Sequence, residues 1–333
     1  MAMSQSHPYR RLQVPSDAPF ELKPSPRKGW GAFATRQIKR GSLILREKPL
    51  FIIQKPQEEI TEEDVRAAYQ HLPPNQKQQL LCLRDNASRS FTCMVEAFAE
   101  NSFAIPSRNT PGCLVHGLFL LHSRFNHSCI PNSKIPTTSG ETIARFATRD
   151  IVAGEEITFC YKTDFELRTR HERHQALQFV CDCKACLIST PFQQLSDMRR
   201  TLIRGLQYLT LGVDLNGQRQ PSSSSIILDP KLKKAAEGFE IPLSSRFIYN
   251  VLVMTLLEEE ELLDDFMFKQ LNPSTLRIAT AFETGRNARI ARLAMVQETW
   301  LEKFGTALKL YGLPDVADHN VCMRLRMLHG LSV

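Results

Sequence analysis

Apolar and polar positions change rhythm several times along this 333-residue chain. Residues 20–54 read as short strands cut by turns, with apolar character in FELK, GWGAFA, SLIL and LFII. Gly29 and Gly31 flank Trp30, and Gly41 marks a second turn ahead of SLIL. From residue 58 to about 101 the spacing turns helical, in TEEDVRAAYQHL with its acidic first turn and in NQKQQLLCLRDN. Strand character returns in IARFATRDI and EEITFCY, joined by the turn VAGE. FELRTRHERHQALQ follows as a charged helix, and beyond residue 190 the pattern is helical almost throughout. NGQRQPSSSS (216–225) interrupts it with a flexible-loop composition. The clearest amphipathic helix spans 289–312, ended by Gly312 and Pro314. The acidic run 258–265 is expected to be the exposed side of a helix.

Length predicts two domains or one decorated domain, and 42% hydrophobic with 23% charged residues is ordinary globular composition. The longest apolar runs, near 115–121 and 248–257, fall short of the roughly 18 residues that span a bilayer, so no membrane association is expected. The first 23 residues carry no apolar stretch after their charges, which argues against a secretory signal and for an intracellular protein with reduced thiols. Residues 1–50 hold ten Lys/Arg against three Asp/Glu, a local balance equal to the whole chain's net +7. That face suits an acidic partner such as nucleic acid or is simply solvated; no nucleic-acid motif accompanies it.

Nine cysteines occur. Cys82, Cys93, Cys113, Cys160 and Cys322 sit among apolar or mixed neighbours, where a buried, inert thiol is the usual state. Cys181, Cys183 and Cys186 form C-x-C-x-x-C, three thiolates able to wrap one zinc that closes with a fourth ligand. No Cys or His follows closely, so Cys129 is the leading candidate for that ligand.

Cys129 belongs to SRFNHSCIPN, where Asn126, His127, Cys129 and Asn132 crowd around Pro131. Such a stretch is a nucleophile with its base, part of a metal site, or a tight polar turn. A thiol and an imidazole two residues apart rarely reach attack geometry, and no oxyanion-hole signature accompanies them. As the fourth thiol of a structural zinc site, Cys129 accounts for all four cysteines at once.

KGWGAF, SRFNHSCIPN, ARFATRDIVAGEEITFCY and CDCKAC, in that order, resemble the SET-domain protein methyltransferases, in particular the SET-and-MYND branch. The resemblance covers about residues 20–187 with a gap over 56–111; only Cys82 and Cys93 fall between Lys55 and Cys113, too few for that branch's MYND zinc module. It implies an α+β fold: a β-rich SET core with a helical insertion, a zinc-bound post-SET segment and an all-helical C-terminal domain. The implied boundaries are an N-terminal arm (1–19), a SET domain (20–180, insert about 56–111), a post-SET segment (181–187) and a helical domain (188–333).

The activity implied is S-adenosylmethionine-dependent methylation of a protein lysine, on a histone or another protein, with one structural zinc ion. Lys28, Gly29, Trp30 and Gly31 would form a turn that brings backbone close to the cofactor, since glycine has no Cβ in the way. Asn126 and His127 would hydrogen-bond it, Arg124 would reach its carboxylate, and Phe179 would pack on its adenine. Tyr161 would orient the substrate amine and steady the cationic methyl donor. Phe146 and Leu177 would line the substrate channel, and zinc on Cys129, Cys181, Cys183 and Cys186 would close the cofactor pocket. Read on residues alone, the two glycines serve a strand turn equally well, and Tyr161 could be a core tyrosine ending a strand. Leu177 stands where the branch usually carries a tyrosine. The alternative is therefore a SET-fold protein that binds partners without methylating lysine, or that turns the pocket to a non-protein substrate.

Overall fold

The structure is a computed structural model that describes residues 7–83, 90–107, 110, 112–136, 141–211, 253 and 256–267. The chain divides into two compact units, Met1–Cys160 and Tyr161–Val333.

The first unit carries β1 (Phe20–Ser25), β2 (Gly29–Ala34), β3 (Leu43–Glu47) and β4 (Ile52–Ile53), the strands expected between residues 20 and 54. Helices α1 (Glu62–Gln70), α2 (Pro74–Leu80) and α3 (Met94–Asn101) follow. Thr61 starts α1 with a reciprocal capping box: its hydroxyl accepts from the Asp64 amide, and the Asp64 carboxylate accepts from the Thr61 amide. The helical stretch gives way at Ser102 to β5 (Ser102–Pro106), which runs antiparallel to β6 (Leu114–Leu118). Short strands β7 (Asn126–His127) and β8 (Ser133–Lys134) precede β9 (Ile143–Ala147) and β10 (Glu156–Phe159). Gly154 turns the chain between the last two with φ of +85°, a conformation in which glycine is at little cost.

These strands make three small sheets, ordered β1-β2-β10-β7, β3-β9-β8 and β4-β6-β5. Sheet and helix residues share one core that includes Phe20, Ala32, Leu45, Val65, Phe98, Phe125, Ile151 and Ile157. The N-terminal arm contributes to it, because Tyr9 and Leu12 are buried there.

In the second unit, α4 (Arg170–Leu177) opens with a Thr169–Glu172 capping box, and α5 (Pro191–Leu211) follows. The acidic run 258–265 departs from expectation. Glu260 is fully buried, accepting from Ser196 Oγ at 2.7 Å, Arg200 Nε at 2.9 Å and Arg199 Nη1 at 3.2 Å. Hydropathy alone puts a glutamate outside, whereas two arginines and a hydroxyl make its burial tolerable. The expected loop at 216–225 and helix at 289–312 lie outside the described residues, as does most of the expected helical domain 188–333. Among the described residues no helix is long and apolar enough to cross a membrane.

Candidate active site

Sheet order explains how motifs about a hundred residues apart meet. β10 lies between β2, which carries Gly-Trp-Gly, and β7, which is Asn126–His127. It pairs antiparallel with β2 (Glu156 with Phe33, Ile157 with Ala32) and parallel with β7 (Thr158 with Asn126, Phe159 with His127). Asn132 locks this arrangement by acting as a spare peptide unit. Its Oδ1 accepts from the Thr158 amide at 2.8 Å while its Nδ2 donates to the Glu156 carbonyl at 2.8 Å and to Glu155 Oε1 at 2.9 Å. Ser133 Oγ donates to the Thr158 carbonyl at 2.7 Å. The Pro131–Asn132 end of SRFNHSCIPN is thus a clamp on β10.

The Asn126 amide nitrogen donates to Glu156 Oε1 at 2.7 Å and to the Trp30 carbonyl at 3.2 Å. Lys28 Nζ holds the other Glu156 oxygen at 3.3 Å. Gly31 sits directly beneath this pair. A Cβ there would lie 2.5 Å from Glu156 Oε1 and 2.8 Å from Asn126 Nδ2, closer than real Cβ contacts come. The need for glycine at 31 thus has a cause in this unit: the close approach of two side chains. Gly31→Ala should destabilise the fold by about 1–3 kcal/mol, the usual cost of an overpacked site. Urea unfolding measures it, and an unchanged midpoint would mean the pair simply moves aside. Trp30 itself is stacked against His7 of the arm, ring centroids 4.4 Å apart.

Arg124 is buried: its guanidinium donates to Asn101 Oδ1 and lies 4.4 Å over the Tyr9 ring. Phe146 is a half-buried residue of β9, in register with Leu43 and Lys134. Its neighbour Arg145 is fully buried, with its guanidinium 4.2 Å from both the Phe125 and Phe159 ring centres, and donates to Ser133 Oγ at 3.2 Å. His122 is buried beside it. Burial pushes that imidazole down to about 4, against the pull of the Glu47 carboxylate 2.8 Å from Nδ1. The ring is therefore neutral near pH 7, with Nδ1–H donating to Glu47.

Cys113 is exposed, and Cys93 and Cys160 are only partly covered, so of the expected buried thiols only Cys82 is fully so; Cys322 lies outside the described residues. Burial fails there because Cys113 follows the Gly112 turn just ahead of β6. The sulfurs of Cys129, Cys181, Cys183 and Cys186 all lie within 4.8 Å of one another, and none is in a disulfide. Tetrahedral zinc–thiolate geometry places sulfurs roughly 3.8 Å apart, so a modest contraction would give a metal its four ligands. The local chain suits thiolates. His127 Nε2 is 3.2 Å from Cys129 Sγ, the Cys183 amide points at Cys181 Sγ at 3.5 Å, and Arg173 Nη2 points at Cys186 Sγ at 3.4 Å. This group could hold a metal.

In the second unit Tyr161 and Phe179 are both partly exposed, at 42% and 44%, and their rings meet edge to face with centroids 6.5 Å apart. Gln178 makes this possible. It caps α4 in the left-handed conformation (φ +60°) and turns the chain out of the helix between Leu177 and Phe179. Leu177 is partly buried as the last residue of α4.

Sequence reasoning passed over Glu155, Glu156 and the clamping role of Asn132. The available signal was the carboxylate pair directly after the Gly154 turn. Two adjacent acids at the start of an otherwise apolar strand need partners, and Arg149, Lys28, Asn126 and Asn132 supply them.

Residues 29–162 match the SET domain family. Set5 of Schizosaccharomyces pombe, described as a histone-lysine N-methyltransferase, is 29% identical over 188 residues, 54% of this chain and 54% of that protein. Zebrafish (Danio rerio) SMYD5, a protein-lysine N-trimethyltransferase, is 40% identical over 81 residues, 22% of this chain and 20% of its own. Mouse (Mus musculus) SMYD3, a histone-lysine N-methyltransferase, is 40% identical over 100 residues, 28% of this chain and 22% of its own. The chain thus carries a SET domain and is related to methyltransferases of the SET5 and SET-and-MYND kind. The matches span about half of the first relative and about a fifth of the other two.

Proposed function

We propose that this protein is an S-adenosylmethionine-dependent protein-lysine methyltransferase acting on a histone or another protein inside the cell. The observation that carries the reading is the junction of three strands at which Asn126–His127 and Gly29–Gly31 are brought to the two sides of β10. SET methyltransferases use S-adenosylmethionine, which when bound supplies an electrophilic methyl on a sulfonium. Asn126 and His127 hold the cofactor, with Lys28, Gly29, Trp30 and Gly31 bordering it and Phe179 packing on its adenine. Arg124, buried against Asn101 and Tyr9, contributes from beneath by fixing the chain ahead of Asn126. Tyr161 orients the attacking amine with its hydroxyl and faces the methyl donor with its ring. Phe146 and Leu177 border the channel, where desolvation lowers the lysine pKa and leaves the nitrogen lone pair free. The four-thiol group binds one zinc ion, with a structural role and no part in the chemistry.

Calorimetry tests the cofactor site directly. The parent should bind S-adenosylmethionine, and Asn126→Ala should weaken binding by about tenfold or more, as expected for a polar ligand losing a hydrogen bond worth about 1.5–3 kcal/mol. No binding by the parent at millimolar cofactor would reject the enzyme reading. Leucine at 177 favours one second reading, a SET fold that binds partners or a non-protein substrate in the same pocket.

A further inference from the structure

Glu156 stands one bond behind Asn126, on the neighbouring strand, and the mechanism above gives it no task. Its two oxygens are both engaged: Oε1 accepts from Asn126 Nδ2 at 2.7 Å and Oε2 from Lys28 Nζ at 3.3 Å. Asn126 Nδ2 lies between two acceptors, Glu156 Oε1 and the Trp30 carbonyl at 3.2 Å. An amide oxygen in that place would face two oxygens with no proton between them, so the amide has one tolerable orientation. Both amide hydrogens are spent on protein. The only polar side-chain atom that Asn126 has left to offer is Oδ1, an acceptor.

We infer that Glu156 is a positioning residue: through Asn126 it presents Oδ1 as a fixed acceptor for an N–H donor of the bound cofactor. This rests on Asn126 being a cofactor ligand, as proposed above. Three features make the orientation rigid. Glu156 is held by register to Phe33 in β2, so its backbone cannot slide. Lys28, in the turn between β1 and β2, steadies the carboxylate from the far side. Gly31 leaves the space in which the two side chains meet, since a Cβ there would touch both. Without the carboxylate, the amide would keep only the Trp30 carbonyl and could turn over, presenting N–H to a donor that needs an acceptor. A charge-assisted hydrogen bond that holds one orientation is enough to bias such a choice strongly.

The experiment is a double-mutant cycle read by calorimetry with S-adenosylmethionine on the full chain. Glu156→Ala should weaken binding about tenfold, close to Asn126→Ala. The Glu156→Ala/Asn126→Ala pair should be no weaker than Asn126→Ala alone, because the first acts only through the second. Glu156→Gln, which keeps an acceptor at Oε1, should recover part of the loss. In turnover assays the effect should fall on the cofactor KM, with kcat at saturation little changed. A parent that binds while Glu156→Ala binds equally well overturns this inference and leaves the functional reading intact. Equal losses from Glu156→Ala in both backgrounds also overturn it, pointing to a general structural role. A parent that binds no cofactor overturns both.

Discussion

Protein purified without added zinc should contain close to one equivalent of the metal, and a strong chelator or Cys181→Ser should abolish its cooperative unfolding transition. The expectation rests on four thiols within 4.8 Å of one another, three of them buried. Four uncharged thiols gathered in this way gain little from one another, whereas four thiolates around zinc are worth on the order of 10–16 kcal/mol in small zinc domains at neutral pH. That exceeds or matches the roughly 5–15 kcal/mol stability of a whole domain, so losing the metal should cost more than any single side chain. Metal analysis and thermal unfolding measure it, with Cys113→Ser, an exposed thiol outside the group, as the control that keeps its metal. Cys129→Ser is the decisive variant. If it retains a full equivalent of zinc and its cofactor affinity, the three clustered cysteines find their fourth ligand elsewhere.

What could be read from the sequence was whatever local pattern dictates. Turn glycines between alternating strands gave β1 to β3, an acidic first turn gave α1, and a run of charged residues gave α4. The C-x-C-x-x-C spacing with its distant partner Cys129 was legible because three cysteines within six residues have few other reasons to cluster. What escaped was decided by pairing across the chain. Nothing near Glu260 announces Arg199 and Arg200, some sixty residues earlier, so an acidic run read as exposed when two of its members, Glu260 and Asp264, are buried. Gly31 read as a place where backbone nears a ligand or as a plain strand turn, and nothing local announces that Glu156 and Asn126 crowd it. Arg124 read as reaching the cofactor's carboxylate, and nothing in the local sequence announces that Tyr9 and Asn101 enclose it. In each instance a charged or absent side chain takes its meaning from a partner that only the sheet order or helix packing supplies.

Leu177→Tyr should raise lysine methylation, and Tyr161→Phe should lower it in either background. Tyr161 offers a hydroxyl at a partly exposed position, so removing one oxygen should leave the fold intact. If that hydroxyl orients the amine during transfer, its loss should reduce kcat by on the order of 10²–10³, the scale seen when one aimed donor is removed from an active site. Leucine at 177 can strip water from an incoming lysine but offers neither a hydroxyl nor a π face. An added tyrosine hydroxyl is worth about one hydrogen bond, hence an acceleration of roughly tenfold at most. The rings of Tyr161 and Phe179 already meet edge to face, and the left-handed turn at Gln178 sets Phe179 two residues beyond the substituted position. Product methylation state is the second readout: a narrower aromatic channel leaves less room for a methylated amine to turn, so Leu177→Tyr should shift products toward fewer methyl groups. If the parent binds cofactor tightly, methylates no protein lysine across a proteome, and gains nothing from Leu177→Tyr, lysine is not the acceptor. The leucine would then be a fitted wall for some other substrate, and the cofactor half of the site would stand without the lysine half.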